Sequence, residues 1–405
     1  MKSYILFCRC IVGVGGSQLY VRNKTLYLKS IGWDVHVFSF WKGNIYIQGL
    51  GAYENRINPK LGFPFFLYSK KEKQRILNWI HSFIHKSDEF VIESNSFLLS
   101  SWAEVLAKEL NAKHILYLLD EQPRTFGLKN DFLYYKLDRY ELSGITSKVI
   151  QSVFPDTNIA NIEDFILIAL CTNSIDDIDD SQLHIDLKGD VKIGFFGRID
   201  KPYLMPITLK LVEFIRKNKE LNFSVVYIGG SPYQRDVRRL LEVFQNVINV
   251  DVQVTGYLCP VPRTFLDKFD FFISSAGSTT ALYEAGYLTI TLDGYNFNPN
   301  GIMGINTYKN LSPEDKQPIL EDVLEDLIKK KIYKREQIVR RDNYDFNYFF
   351  EPHMKFLDKS KNKSKDEYYD FNSIYLPLRF KVLKFLLFLL NPNWLRKIVD
   401  SWVYK

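Results

Sequence analysis

The 405-residue sequence predicts an α/β protein with two Rossmann-like, doubly wound domains that face a cleft, followed by an amphipathic helical tail. Three observations predict this architecture. Short β-rich runs alternate with helical patterns in both halves, Gly-rich turns follow several of these runs, and an acidic stretch without apolar periodicity separates the halves. The length also suits two to three domains of roughly 150 residues each.

Apolar patterning alternates between strand and helix through the first half. We predict strands over residues 3–12, 33–39, 89–93 and 113–119, and helices over 16–30, 70–85 and 98–110. The first helix carries the apolar residues Leu19, Leu26 and Leu28, and residues 41–65 are rich in Gly, Pro and Asn and are expected to form loops. Strands that alternate with helices predict a doubly wound domain over residues 1–172.

The second half contains four apolar strands, each followed by a turn of small or polar residues. They cover residues 191–197, 225–228, 252–254 and 271–275, and a further helix is predicted over 313–331. In a parallel sheet, ligands bind outside the carboxyl ends of the strands. The remaining expected boundaries are a linker over 173–190, a second doubly wound domain over 191–332, a helical region over 333–358, a charged linker over 359–372 and the tail over 373–405.

The clearest functional signal follows the strand over residues 271–275. A small-residue turn opens a helix there, and its backbone amides suit a phosphate because a helix N-terminus carries unsatisfied donors and partial positive charge. The turn contains Gly277, Ser278, Thr279 and Thr280. Glu284, one to two helical turns further on, is placed to accept hydrogen bonds from sugar hydroxyls. Phosphate and a vicinal diol together describe a nucleotide sugar, although many such junctions bind nothing.

A second half-site follows the strand over residues 191–197. Arg198 offers a planar fork for phosphate oxygens, and Lys201 offers a mobile point charge. An ordinary surface Arg and Lys after a strand is the alternative interpretation. Gly256, Tyr257 and Leu258 follow the strand over 252–254 in the same way.

The order of these turns resembles the C-terminal domain of GT-B glycosyltransferases. Gly15 and Gly16, between the first strand and the first helix, are similar to the cleft loop at the opening of glycosyltransferase family 4 enzymes. The resemblance covers roughly residues 1–350. It implies that the domain over 1–172 binds the acceptor, that the domain over 191–332 binds the nucleotide sugar, and that the helical region over 333–358 crosses back to the first domain. It also implies that the turn over residues 256–258 contacts the nucleotide base, largely through its backbone.

The donor loop departs from the family 4 pattern. That family has two Glu residues eight positions apart, and the position eight before Glu284 is Ala276. The loop over 276–280 looks closer to the inverting GT-B branch that makes a lipid-linked peptidoglycan precursor. In that branch a Gly-Ser/Ala-Thr turn meets the phosphates and a helix Glu contacts the ribose. The resemblance therefore leaves both inversion and retention open.

An inverting transfer requires a general base within hydrogen-bond reach of the acceptor hydroxyl. Asp120 and Glu121 end one predicted strand and Glu93 ends another, so these carboxylates are the candidates, with helix capping or simple surface exposure as the alternative. A retaining transfer needs no such base. No Asp-x-Asp pattern ends a strand, so we expect chemistry without metal or cofactor, in which Arg198, Lys201 and helix amides stabilise the departing diphosphate.

Composition excludes several classes of protein. The formal net charge of +6 is modest, and no basic–aromatic signature for nucleic acid is present. The four Cys residues do not imply disulfides, which fits a reducing cytoplasm, and Arg9 interrupts the N-terminal apolar run in a way unlike a signal peptide.

The tail over residues 373–405 carries six basic residues and one acid, Asp400. Its apolar run over 385–390 is far shorter than the ~20 residues needed to span a bilayer. Basic residues beside an apolar, Trp-containing face predict an interfacial helix on an anionic membrane, here the inner face. A helix packed on the protein's own core is the alternative.

These features predict a Leloir glycosyltransferase of the hexosyl type. The expected donor is a nucleotide sugar, and the expected acceptor is a saccharide or a lipid-linked saccharide in cell-surface polysaccharide biosynthesis. A sugar-nucleotide epimerase of the same fold, or an inactive GT-B-like scaffold, are the alternatives.

Overall fold

The computed structural model describes residues 1–120, 131–310, 312–341, 345–360, 367–371 and 378–389. Within these ranges, five strands of the first half form one parallel sheet in the order β2-β1-β3-β4-β5. They are β1 (Lys2–Phe7), β2 (Trp33–Phe38), β3 (Glu89–Ser94), β4 (Lys113–Leu118) and β5 (Leu142–Gly144). The helices of this half are α1 (Gly16–Ser30), α2 (Lys70–His81), α3 (Phe97–Leu110), α4 (Asp131–Asp138) and α5 (Ser147–Val153).

A six-stranded sheet forms the second half, in the order β13-β12-β11-β7-β8-β9, where only β13 runs antiparallel to its neighbour. Its strands are β7 (Val191–Phe196), β8 (Phe223–Ile228), β9 (Val250–Val254), β11 (Phe271–Ser275), β12 (Thr289–Leu292) and β13 (Pro299–Ile302). Two short strands, β6 (Ile175–Asp176) and β10 (Val261–Pro262), pair separately. The helices are α6 (Leu204–Lys217), α7 (Gln234–Glu242), α8 (Arg263–Leu266), α9 (Ala276–Glu284) and α10 (Leu320–Ile328).

The chain then returns to the first half through α11 (Phe346–Lys359) and α12 (Leu378–Leu389). Phe350 of α11 is fully buried, and its ring lies 6.0 Å from that of Tyr20 and 5.4 Å from that of Tyr27, both on α1. Short 3-10 helices occupy Gly51–Arg56, Pro59–Gly62, Phe65–Leu67, Ile162–Phe165 and Arg335–Gln337. Helix α11 therefore belongs to the core of the N-terminal domain.

The structure confirms the four predicted strands of the second sheet, and α1 has the predicted bounds. The strand predicted over 3–12 ends at Phe7, and the helix predicted over 313–331 is shorter, as α10. Leu26 of α1 is 41% exposed, because this helix buries the charged residue Lys24 on its inner face instead.

The acidic stretch of the predicted linker is not simply solvated. Asp177 pairs with Arg263 at 3.0 Å, and Asp180 pairs with Lys268 at 2.6 Å. These ion pairs hold the connection against the region around α8. No helix in the described part of the chain is long and apolar enough to cross a membrane.

Candidate functional site

The turns after β7 and β8 pack backbone against backbone. Gly197 has φ of +146° and Gly229 has φ of +154°, a region that side chains rarely adopt. A methyl group added at Gly229 would lie 2.0 Å from the carbonyl oxygen of Gly197. Only glycine at position 229 allows this approach of the two backbones. The approach fixes the backbone at Gly197 and therefore the position of the next residue, Arg198.

Asp200 holds one edge of the Arg198 guanidinium. Arg198 Nε lies 3.0 Å from Asp200 Oδ1, and Arg198 Nη2 donates to Asp200 Oδ2 at 3.1 Å. On the other edge, a methyl group added at Gly15 would lie 3.0 Å from Arg198 Nη1. The guanidinium of the second domain therefore reaches the N-terminus of α1 in the first domain, and the Arg198 side chain remains 38% exposed.

The N-terminus of α9 lies beside the same turn. A methyl group on Gly197 would be 3.7 Å from Ser278 Oγ. Ala276 begins α9 with φ of +54°, and its amide donates to the carbonyl of Asn310 at 2.7 Å. Asn310 Nδ2 in turn donates to Thr280 Oγ1 at 2.8 Å. Asn310 thus fixes the first turn of α9, whose following amides have no partner within the helix.

The N-termini of α1 and α9 meet at the segment that joins the domains. A methyl group at Gly16 would lie 3.4 Å from Cys171 Cβ, and one at Gly277 would lie 3.3 Å from Thr172 Cγ2. Burial raises the pKa of Cys171 to about 12, so its thiol is neutral at physiological pH. Two helix N-termini and one guanidinium thus converge on one place, an arrangement suited to an anion.

An aromatic pair crosses the cleft next to this place. The rings of Tyr46, from the first domain, and Tyr257, from the second, lie 5.0 Å apart. Tyr257 also packs on Gly230, where an added methyl group would lie 2.9 Å from the Tyr257 ring. Burial, followed by the negative charge of Asp200, raises the pKa of Tyr257. The Gln48 amide donates to the carbonyl of Cys259 at 3.3 Å, so these two loops face each other.

The other predicted donor residues have different environments. Lys201 is exposed in the turn after Arg198, Gly256 has φ of +75°, and the carbonyl of Leu258 accepts a hydrogen bond from Asn173 Nδ2 at 2.8 Å. The side chain of Thr279 is fully buried, so only its backbone can face a ligand.

Glu284 stands at the opposite end of α9 from Gly277. It lines a cavity of about 850 Å³ together with Tyr27 and Ser30 at the end of α1, the 174–177 segment, Arg340 and the start of α11. Arg198, Gly15 and Ser278 are not among the residues that line this cavity. The contact of Glu284 with ribose stays a prediction.

The candidate general bases differ in their exposure to solvent. Asp120 is exposed just beyond the carboxyl end of β4, and Glu121 lies outside the described residues. The expectation for Glu93 is wrong, because its carboxylate is buried and accepts hydrogen bonds from the hydroxyls of Tyr4 at 2.7 Å and Tyr20 at 2.8 Å. Among the described residues, no three His, Cys, Asp or Glu side chains are grouped to hold a metal ion.

Three residues of this region were missed by sequence reasoning: Asp200, Asn310 and Tyr46. Asp200 had a usable signal, because a carboxylate two positions from Arg198 can pair with it. Asn310 and Tyr46 lie in loops without a motif, and their roles depend on contacts far along the chain.

Comparisons with solved structures agree with this architecture. A glycosyltransferase from Rickettsia africae is 16% identical, with 88% of this chain and 98% of that chain covered and a TM-score of 0.55. A variant of TarM from S. aureus, described in complex with fondaparinux, alpha-GlcNAc-glycerol and UDP, is 10% identical, with coverage of 88% and 99% and a TM-score of 0.53. The N-terminal domain of trehalose-6-phosphate phosphatase from Candida albicans is 11% identical, with coverage of 89% and 97% and a TM-score of 0.53.

The fold is GT-B. No protein-family model matches the chain, and no curated protein matches it. At these identities the likeness of the solved structures shows the GT-B fold alone, and the finer resemblance to glycosyltransferase family 4 stays a prediction.

The ion pair between Asp200 and Arg198 predicts a kinetic effect. For the expected transfer from a nucleotide sugar, Asp200→Asn should lower kcat about tenfold and change the KM for that donor less than about twofold. The variant loses the charged hydrogen bonds that orient the Arg198 guanidinium, but it also removes a negative charge near the expected diphosphate. Steady-state kinetics measure both values. Asp236→Asn is the matched control, because Asp236 is similarly half-buried and pairs with Arg235. Equal losses in the two variants would contradict a positioning role for Asp200.

Proposed function

We propose that this GT-B chain is a glycosyltransferase that moves a sugar, of the hexosyl type, from a nucleotide-sugar donor to a saccharide acceptor. The observation that carries the proposal is the convergence of Arg198, the N-terminus of α1 at Gly15 and the N-terminus of α9 at Gly277 and Ser278. These groups come from both domains and face one point. A diphosphate is the part of a nucleotide sugar that such a cationic, amide-rich point favours.

The proposed mechanism stabilises the leaving group. Arg198, Lys201 and the amides over 277–280 offset the negative charge that grows on the diphosphate as the glycosidic bond breaks. In this proposal the turn over 256–258 holds the nucleotide base, and Glu284 contacts the ribose. Catalysis of this type needs no metal ion.

The acceptor we favour is a lipid-linked saccharide in cell-surface polysaccharide biosynthesis. The basic and apolar tail supports this choice, since an enzyme on the cytoplasmic face of the membrane would meet such an acceptor at the bilayer surface. Residues 390–405 of this tail, including its Trp residues, lie outside the described residues.

A two-step assay tests the function. A thermal-shift screen against nucleoside diphosphates identifies the base, and incubation with the matching nucleotide sugars follows. A transferase releases free nucleotide when an acceptor is present. An epimerase yields a new nucleotide sugar without any acceptor, and an inactive scaffold does neither, so either result would overturn the proposal.

We also propose that transfer inverts the anomeric configuration, with Asp120 or Glu121 as general base. The support is the position of Asp120, exposed beyond the carboxyl end of β4, and the Ala at position 276 where family 4 has a carboxylate. We expect product NMR to show the inverted anomer. A retained configuration would remove the reason to assign any base.

A further inference from the structure

Helix α12 packs against the N-terminal domain through one face. Phe380 is 6% exposed within the core of that domain, and Leu383, Leu386 and Leu387 pack against the same core. The helix contacts the 3-10 turn Phe65–Leu67, which directly precedes α2. The described part of the tail is therefore held in a defined orientation on the domain.

The opposite face of α12 leaves large apolar side chains in solvent. Leu378, Val382 and Phe385 are 78%, 48% and 62% exposed. Their spacing of four and three residues places them in one stripe along the helix. Lys381 and Lys384, also exposed, lie along one side of this stripe.

Lysines of helix α2 add to the basic residues beside that stripe. Burial, followed by the positive charge of Lys384, lowers the pKa of Lys73, and Lys73 Nζ lies 4.3 Å from the centre of the Phe65 ring. Lys70 and Lys71, at the start of α2, are exposed. Lys70 lies one helical turn before Lys73 and therefore on the same side of α2, so lysines from two segments far apart in the sequence form one basic rim.

Two acids lie close to these lysines of α2. Glu72 pairs with Lys60, and the charge of Asp370 acts on Lys73. An apolar stripe with lysines beside it matches the chemistry of an anionic bilayer, where apolar side chains enter the acyl boundary and lysines meet headgroup phosphates.

We propose that the α12 stripe and the α2 lysines form one docking surface for anionic lipid. The inference rests on the peripheral location proposed above and adds the surface that makes the contact. It differs from attachment by the terminal residues alone, because it requires lysines of α2 from the N-terminal domain.

The experiment measures sedimentation of the full chain with phosphatidylcholine vesicles, with and without phosphatidylglycerol. Two variants test the surface: Phe385→Ser for the stripe and Lys70→Glu/Lys71→Glu for the rim. We expect wild-type protein to bind the anionic vesicles, and each variant to bind at least about tenfold more weakly.

Matched controls lie on exposed positions of the second domain. Ile248→Ser removes an apolar side chain that is 93% exposed, and Lys219→Glu/Lys316→Glu makes the same charge change elsewhere. Both controls should bind vesicles as wild type does.

Two outcomes would overturn the proposal. If Phe385→Ser and the α2 double variant bind like wild type, the contact belongs to residues beyond 389. If wild type binds no vesicle and Phe385→Ser converts a dimer to a monomer in ultracentrifugation, a second copy covers the stripe. Nucleotide titration of the same proteins in solution separates failure of this surface from failure of the proposed transferase function.

Discussion

Replacing Arg198 with Ala is expected to cost about 2–4 kcal/mol of transition-state stabilisation, or roughly 30- to 1,000-fold in kcat/KM. The reason is geometric. Arg198 Nη1 lies at the N-terminus of α1, the α9 N-terminus stands beside the same turn, and Asp200 holds the other edge of the fork. The variant removes a full positive charge at the point where the proposed diphosphate binds, and leaves the partial charges of the two helix N-termini. Arg198→Lys should recover only part of the rate, because an ammonium cannot pair with Asp200 through two nitrogens.

Arg235→Ala is the control for this variant. Arg235 is an exposed Arg beside an Asp on the same domain, and it lies outside the proposed site. The double variant Arg198→Ala/Asp200→Asn should be no slower than Arg198→Ala alone, since Asp200 acts through Arg198. Near-normal turnover by folded Arg198→Ala protein would contradict the assignment of the donor site.

Local patterns were enough to predict four of the six strands of the second sheet and the turn that opens α9. Strands β7, β8, β9 and β11 are short apolar runs that end at small residues, and this signal lies within a few residues of each strand. Phe271, Phe272 and Ile273 of β11 are buried in the core. The convergence of Gly15 with Arg198 could be predicted only through the resemblance to a two-domain fold, because no local pattern places the two sheets relative to each other.

A buried ion pair explains two predictions that differ from the structure, those for Glu93 and for α1. Glu93 looks like a carboxylate at a strand end, but Lys24 from α1 lies 3.3 Å from it, and both side chains are buried. Leu26 is one of the apolar residues of α1 in the sequence, yet it is exposed, and the charged Lys24 is buried. A pairing between residues this far apart in the chain carries no local signal.

A second network of buried charged side chains surrounds β4, the strand that ends just before Asp120. Lys136 of α4 pairs with Glu104 of α3 and, at 2.8 Å, with Glu141, and its Nζ donates to the carbonyl of His114 at 3.1 Å. His114 Nδ1 lies 2.7 Å from Glu104 Oε2. All of these side chains are essentially inaccessible to solvent. They tie α3, β4 and α4 together on either side of the 121–130 segment.

Lys136→Met should therefore destabilise the N-terminal domain by about 3–5 kcal/mol, the usual cost of leaving a buried partner charge uncompensated. Met is about as long as the aliphatic part of Lys, so the loss of stability reflects the missing charge and not a new cavity. Urea unfolding followed by tryptophan fluorescence measures it, since Trp102 lies within α3. Lys148→Met on α5, at an exposed position, is the control and should change stability by less than about 0.5 kcal/mol.

Adding Glu104→Gln to Lys136→Met should restore part of the stability, because it removes one of the two carboxylates that the Lys had neutralised, while Arg139 still pairs with Glu141 at 3.3 Å. A loss below about 1 kcal/mol in Lys136→Met would mean that water or a proton replaces the Lys charge. The carboxylates of Glu104 and Glu141 would then be more accessible to water than their burial indicates. The position of β4 and of Asp120 after it would not depend on the ion pairs of Lys136.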